Sequence, residues 1–168
     1  MPLFPRSLGR MMLCVLPVVV MASCTEFDQK WANMPPPMTA NPAAIAAGKW
    51  EGTWQSDATS YSGHLQSIVV FSGTTVQDKD QVQQYQAEFH QRMFDMGPVR
   101  DYTVNFTAQK LPDGRIHIEG RKDLGYYYGG IFHYDGYIYP EKDEFYCDYN
   151  SDKDTGTFKM RRITQALQ

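Results

Sequence analysis

The pattern of apolar and polar residues divides the chain into two unlike parts. Residues 11–21 form an uninterrupted apolar run, whereas apolar side chains from Trp50 to Met160 mostly recur at every second position. A period of two is typical of a β-strand with one buried face, because an amphipathic helix needs spacings of three and four. The longer part of the chain is therefore predicted to be all-β.

Eight alternating segments are predicted as strands, at residues 48–54, 63–71, 82–94, 101–110, 115–119, 131–139, 144–149 and 157–162. Turns are expected at residues 73–80 and at Pro112-Asp113-Gly114, and a bulge or sharp bend at Gly129-Gly130. Asp135-Gly136 offers an alternative hairpin turn inside the sixth segment. Short strands joined by tight turns predict a sandwich or an up-and-down barrel. We favour a single eight-stranded antiparallel β-barrel, because closure removes unpaired strand edges.

The apolar run is too short to span a bilayer core of about 30 Å, which needs roughly 20 residues. Arg6 and Arg10 precede it, and it ends in Val20-Met21-Ala22-Ser23-Cys24. This ending resembles the lipobox of bacterial lipoproteins, although Met21 stands where Leu is commonest. The resemblance implies cleavage before Cys24, acylation of that cysteine and a firm membrane anchor. The alternative is a secretory signal with an unlipidated Ser-Cys junction.

The lipoprotein resemblance also implies a cellular location and an order of segments along the chain. Thr25 stands where Asp would retain a lipoprotein in the inner membrane, so the outer membrane of a bacterial cell envelope is expected. Residues 1–23 are then the signal peptide and residues 24–47 a lipidated, flexible linker rich in Pro and Ala. Residues 48–164 form the barrel domain, and residues 165–168 a C-terminal tail.

Charge and cysteine content narrow the function classes. Loss of residues 1–23 lowers the basic count from 16 to 14 against 19 acidic residues, so the net charge moves from −3 to −5. An acidic body without a basic run argues against nucleic-acid binding, which depends on Lys and Arg. With Cys14 removed and Cys24 acylated, Cys147 is left without an intramolecular disulfide partner. A lone strand cysteine is predicted to be a small buried hydrophobe rather than a nucleophile.

A second resemblance rests on the first and last strands. Gly48-x-Trp50 resembles the opening motif of lipocalins and other calycins, and its extension to Gly52 resembles nitrobindin-type barrels; Trp54 shares the same strand face. In calycins an arginine near the chain end packs over this tryptophan, and Arg161 or Arg162 is the matching residue here. No histidine follows His133, so a haem ligand is not carried over and no cofactor is expected.

No catalytic or metal-binding spacing is evident in the sequence, so an enzyme is not predicted. The four histidines stand alone on strands, and neither an H-x-x-H nor a G-x-S-x-G pattern occurs. One run of alternate oxygens offers a weak calcium alternative. It comprises Asp148, Asn150, Asp152 and Asp154. Because Lys153 opposes a cation there, an acidic hairpin turn is the preferred interpretation.

Aromatic residues crowd the last third of the domain and leave two hypotheses open. They line a cavity for a small apolar ligand, or they fill the barrel, which then acts as a structural or protein-interaction module of the envelope. The candidate lining residues are Tyr102, Phe106, Tyr128, Phe132, Tyr134 and Phe145. An interior volume above about 300 Å³ would favour the ligand.

Overall fold

The structure, a computed structural model, describes residues 25–35, 45–77, 80–93 and 99–164. The strands close into one barrel in which every neighbouring pair is antiparallel and sequential, from β1 to β8 and back to β1. The predicted eight-stranded up-and-down barrel is confirmed, and it is compatible with a calycin-like fold. The predicted signal peptide, Cys24 and the tail at 165–168 lie outside the described residues.

The strand bounds lie close to the predicted ones. They are β1 Gly48–Ser56, β2 Ser62–Gln77, β3 Asp80–Met93, β4 Val99–Lys110, β5 Ile116–Asp123, β6 Ile131–Tyr139, β7 Glu144–Asn150 and β8 Thr155–Arg162. Short 3₁₀ turns at Tyr126–Tyr128 and Pro140–Lys142 join β5 to β6 and β6 to β7.

One turn prediction was wrong, and the alternative to the sixth strand is not observed. The region predicted as a turn at 73–80 is largely strand, since β2 continues to Gln77 past a bulge between Phe71 and Gly73. The β-branched residues after Gly73 favour extended backbone, which explains the longer hairpin. The alternative turn at Asp135-Gly136 does not form. Gly136 lies in the middle of β6, where a Cβ would meet the Cα of Cys147 at 2.6 Å.

One end of the barrel, here called the closed end, is sealed by the segment before β1. The indole N–H of Trp50 donates to the Ala46 carbonyl at 3.0 Å, and the ring is completely buried. The guanidinium carbon of Arg162 lies 4.4 Å from the centre of that ring. Its nitrogens donate to the carbonyls of Ala47 and Ile45, each at 2.5 Å. Arg162, rather than Arg161, is therefore the arginine that covers Trp50.

A helix precedes the barrel where the sequence predicted a flexible linker. Helix α1 spans Glu26–Asn33 and begins with a reciprocal cap, in which Thr25 Oγ1 accepts from the Asp28 amide and the Asp28 carboxylate accepts from the Thr25 amide. Such capping stabilises a helix start that proline-rich surroundings obscure in the sequence. Phe27 is buried and stacks on His90 of β3, with ring centroids 4.8 Å apart. The helix therefore packs against the outer wall of the barrel.

Candidate ligand-binding site

The end of the barrel opposite Trp50, here called the open end, is bordered by the connections after β1, β3, β5 and β7. In an up-and-down barrel alternate connections meet at the same end, so the described connections after β1, β5 and β7 border one mouth. The connection after β3, residues 94–98, lies outside the described residues. Inward side chains at the adjoining strand ends are therefore brought together, although they are distant in sequence.

A cavity of about 520 Å³ occupies the open end. Its lining is mainly aromatic and comprises Trp54, Tyr61, Tyr102, Tyr127, Tyr128, Phe132, Tyr134, Tyr149 and Phe158, with Met93, Val99 and Leu124 among the aliphatic residues. Ligand sites commonly have volumes of about 300–1,000 Å³ and largely apolar walls. In size and lining the cavity belongs to that class.

The cavity ends on a packed aromatic layer in the middle of the barrel. Phe158 packs against Phe89, Tyr134 and Tyr149, with ring centroids 5.5 to 5.7 Å apart. Phe106 lies below Tyr134 with its ring edge-on, at a centroid distance of 5.9 Å. This layer of packed rings forms the floor of the cavity.

The connection between β5 and β6 leaves room for the cavity because glycine forms its bend. Gly129 and Gly130 have φ values of 104° and 77°, in the left-handed region that glycine adopts without strain. A Cβ on Gly129 would lie 3.0 Å from the Phe132 ring, so a larger residue would displace that ring from the cavity lining. The bend predicted at this glycine pair is confirmed.

Tyrosine hydroxyls are among the polar groups of the cavity, whose lining also includes Thr59, Gln91, Arg100, Lys153 and Asp154. Burial raises the pKa of Tyr102, Tyr134 and Tyr149 above the ordinary tyrosine range, so all three stay protonated at neutral pH. The Tyr149 hydroxyl donates to the Gln55 carbonyl at 3.2 Å. A neutral phenol both donates and accepts a hydrogen bond. The cavity therefore combines aromatic walls with uncharged hydroxyls.

Two cations of the cavity lining, Arg100 and Lys153, lie against aromatic rings. The Arg100 guanidinium carbon is 3.9 Å from the centre of the Tyr128 ring. Lys153 Nζ is 3.8 Å from the Tyr126 ring and donates to the Tyr126 carbonyl at 3.0 Å. Such contacts hold the positive charges against the aromatic edge of the mouth. They place positive charge where the polar end of an amphiphilic ligand would emerge.

The structure brings together four of the six candidate lining residues. Those at the cavity are Tyr102, Tyr128, Phe132 and Tyr134. Phe106 belongs to the packed layer beneath, and Phe145 lies at the closed end with its ring edge-on to Trp50, at a centroid distance of 5.7 Å. Sequence reasoning missed Tyr149 and Phe158 as lining residues. The available signal was the inward parity of both residues, with Tyr149 near the end of β7 and Phe158 three residues into β8.

The weak calcium alternative finds no support in the geometry. Among the described residues, Asp148, Asp152 and Asp154 do not bring their carboxylates together as a group. Asp154 instead accepts from the Ser56 hydroxyl at 2.6 Å. The preferred acidic hairpin turn is organised by Ser151, whose hydroxyl accepts from the Asp154 amide at 3.1 Å.

One mixed cluster on the outer wall was missed by the sequence analysis. Ligand atoms of His117, Glu119 and Asp135 lie within 4.8 Å of one another, and His117 Nε2 is 3.2 Å from the Asp135 carboxylate. The three residues are adjacent because β5 and β6 place Glu119 opposite Asp135. Two carboxylates and an imidazole are suitable ligands for a divalent metal, but both carboxylates are exposed to solvent.

Cys147 is buried in the barrel wall, as predicted. Burial raises the pKa of its thiol, so the thiolate needed for nucleophilic attack is disfavoured.

A larger depression of about 700 Å³ lies on the outer wall across β1 and β8. Charged side chains border it, including Glu51, Lys159 and Arg161. Its lining suits a polar contact and not the apolar ligand expected from the sequence. The open-end cavity is therefore the candidate site.

Comparisons with known proteins identify no relative: no family model, no curated protein and no solved structure matches the chain. Across the part of the chain that the structure describes, no helix has the length and apolar character needed to cross a membrane. The likeness to calycins accordingly rests on the barrel architecture and on the contact between Trp50 and Arg162.

Proposed function

We propose that this protein is a lipid-anchored protein of the bacterial cell envelope whose barrel binds one small apolar ligand. The observation that carries the proposal is the aromatic cavity of about 520 Å³ at the open end. A barrel completely filled by side chains would leave no such space. The lipid anchor is supported by the lipobox-like sequence that ends in Cys24 and by the apolar run at residues 11–21 that precedes it.

The lining defines the chemistry of the ligand. Rings of Trp54, Phe132 and Phe158 offer apolar faces, and the hydroxyls of Tyr102 and Tyr134 offer neutral hydrogen bonds. The charged lining residues are Arg100, Lys153 and Asp154, and a charged group of the ligand that lay away from them would lose its hydration at a cost. An aromatic or acyl body with its polar end toward Arg100 fits this arrangement best.

Binding of 1-anilinonaphthalene-8-sulfonate to the purified full-length protein tests the proposal. Its aromatic body suits the cavity, and its sulfonate would remain near Arg100. We expect saturable fluorescence enhancement with the wild type and at least about tenfold weaker binding after Leu124→Trp, which places a large ring in the cavity wall; tenfold corresponds to about 1.4 kcal/mol.

Val76→Trp is the matched control, because Val76 is 71% exposed at the hairpin between β2 and β3, away from the open end. It should bind the probe like the wild type. Equal binding by the two tryptophan variants, or no binding by the wild type, would refute the ligand-binding function.

A second candidate is an interaction module that presents its acidic outer wall to an envelope protein. The observation favouring it is a row of carboxylates, Glu119, Asp135 and Asp148, which face one another in register across β5, β6 and β7. Like charges directly opposite on a sheet destabilise it, so a basic partner would relieve the row. A photocrosslinker at Asp148 should then form a specific adduct in cells, and a crosslinker at Val70 should not.

A further inference from the structure

Exposed hydrophobic side chains are concentrated at the open end. Six of the nine large exposed ones among the described residues lie there: Tyr61, Val99, Tyr126, Tyr127, Tyr128 and Ile131, here called the rim. Tyr127 is 92% exposed and Tyr126 is 77% exposed. Four of them, Tyr61, Val99, Tyr127 and Tyr128, border the same cavity. Clustered exposed apolar side chains mark interaction sites, and tyrosine is enriched where proteins meet the membrane–water interface.

The charges near the rim fit an interfacial position. Arg100 and Lys153 stack on Tyr128 and Tyr126, so each cation stays beside an aromatic ring. At a lipid surface the rings would enter the headgroup boundary while the cations reach phosphate oxygens. The same connections also carry Asp57, Asp152 and Asp154, and Asp123 ends β5 beside them. Insertion of the aromatic rings, rather than attraction to anionic lipid, is therefore the main force that holds the rim at a lipid surface.

The first turn of helix α1 lies nearer the rim than its last turn does. Its first turn contacts the barrel through Phe27, which stacks on His90, the residue before the cavity-lining Gln91. Its last turn contacts the closed end, where Lys49 Nζ donates to the Trp31 carbonyl at 3.2 Å. The start of α1 thus points toward the open end. Cys24 directly precedes Thr25, the residue that caps this start.

We propose that the rim is a membrane-docking surface and that the barrel lies on the bilayer with its open end facing the lipid. The occupant of this surface is the bilayer itself, and the apolar ligand would pass between lipid and cavity without crossing water. The inference depends on the anchor at Cys24 that the proposed function includes. Because ring insertion provides the contact, vesicles of phosphatidylcholine alone should be sufficient.

Nitroxide labels on the full-length lipidated protein in phosphatidylcholine vesicles test the orientation. Tyr127→Cys places a label at the rim, and Val76→Cys places one at the opposite end; Cys147 is buried and stays unlabelled in the folded protein. We expect the label at 127 to lie about 5–10 Å below the phosphates, accessible to oxygen and shielded from a water-soluble nickel complex. The label at 76 should remain in water.

A second reporter separates ring insertion from the anchor. A label introduced by Tyr61→Cys should lose its depth when Tyr126→Ser and Tyr127→Ser are combined, and keep it with Tyr146→Ser on the barrel wall. Equal water exposure of the labels at 127 and 76 in vesicle-bound protein would overturn the inference while leaving dye binding intact. Protein that does not sediment with vesicles would instead contradict the proposed anchor, on which the inference depends.

Discussion

The two ends of the barrel differ most clearly at two tryptophans on one strand. Trp50 and Trp54 share the inward face of β1, four residues apart. Trp50 is covered by Ala46 and Arg162, whereas Trp54 lines the open-end cavity and donates to the Arg92 carbonyl at 3.4 Å. The same residue type on the same face is thus a sealed core residue at one end and a cavity wall at the other.

The difference shows that the chain before β1 and the end of β8 form the seal, with Asp143 of the β6–β7 connection paired to Arg162. Ile45, Ala46 and Ala47 lie across the closed end and give their carbonyls to Trp50 and Arg162. At the other end, the connections that the structure describes, after β1, β5 and β7, border the cavity. They therefore shape the cavity, as loops on a rigid scaffold commonly do.

The largest expected effect is a difference in stability between the two tryptophan truncations. Trp50→Ala should lower the free energy of unfolding by about 3–5 kcal/mol, because it leaves a sealed void and an uncovered guanidinium. Trp54→Ala should cost less than about 2 kcal/mol, since its ring already borders a cavity. Urea unfolding of the two variants measures both values. Equal losses would contradict the distinction between a closed and an open end.

A smaller effect is expected from the adjacent arginines of β8. The Arg162 side chain is 8% exposed and pairs with Asp143 at 3.1 Å, whereas the Arg161 side chain is 79% exposed and pairs with Glu144. Arg162→Leu should cost roughly 2–3 kcal/mol, because two buried carbonyls lose charged donors. Arg161→Leu should cost about 0–1 kcal/mol, as expected of a surface pair. Urea midpoints compare the two, and similar losses would mean that Arg162 does not help seal the barrel.

Much of the fold could be predicted because strand parity is a local property. The alternation that places Trp50, Gly52 and Trp54 on one face needs no knowledge of the partner strands. Helix α1 was missed because the prolines at 35–37 dominate that region, while its stability comes from the cap at Thr25 and from burial of Phe27 on a distant strand. Tertiary contact of this kind is not visible in the sequence.

The candidate lining residues were correctly predicted to face the interior of the barrel. They were not all correctly predicted to lie at the open end. Phe145 opens β7 and Tyr149 nearly ends it, so the two inward rings lie at opposite ends of the barrel. The alternation along β7 predicts that both rings face inward. Only their positions along the strand show that they lie at opposite ends. Counting alternate connections would have assigned Tyr149 to the cavity. The bulk of Phe158, which determines the depth of the cavity, depends on packing across the barrel and was not predictable.

The last comparison concerns pH, because the floor of the open end carries buried phenols. Burial raises the pKa of Tyr134 in the folded protein above the unfolded value of about 10. Below pH 10 both states hold the proton and its contribution is constant. Above pH 10 the unfolded chain releases the proton and the folded chain retains it, so stability falls as pH rises, by about 1.4 kcal/mol per unit for this group.

Urea unfolding between pH 8 and 11 measures the slope. Tyr134→Phe should make it shallower by that amount above pH 10, while Tyr102, Tyr149 and Cys147, whose pKa values burial also raises, still contribute. An unchanged slope in Tyr134→Phe would mean that Tyr134 is solvated in the folded state, and that the cavity floor is wetter than its aromatic packing indicates.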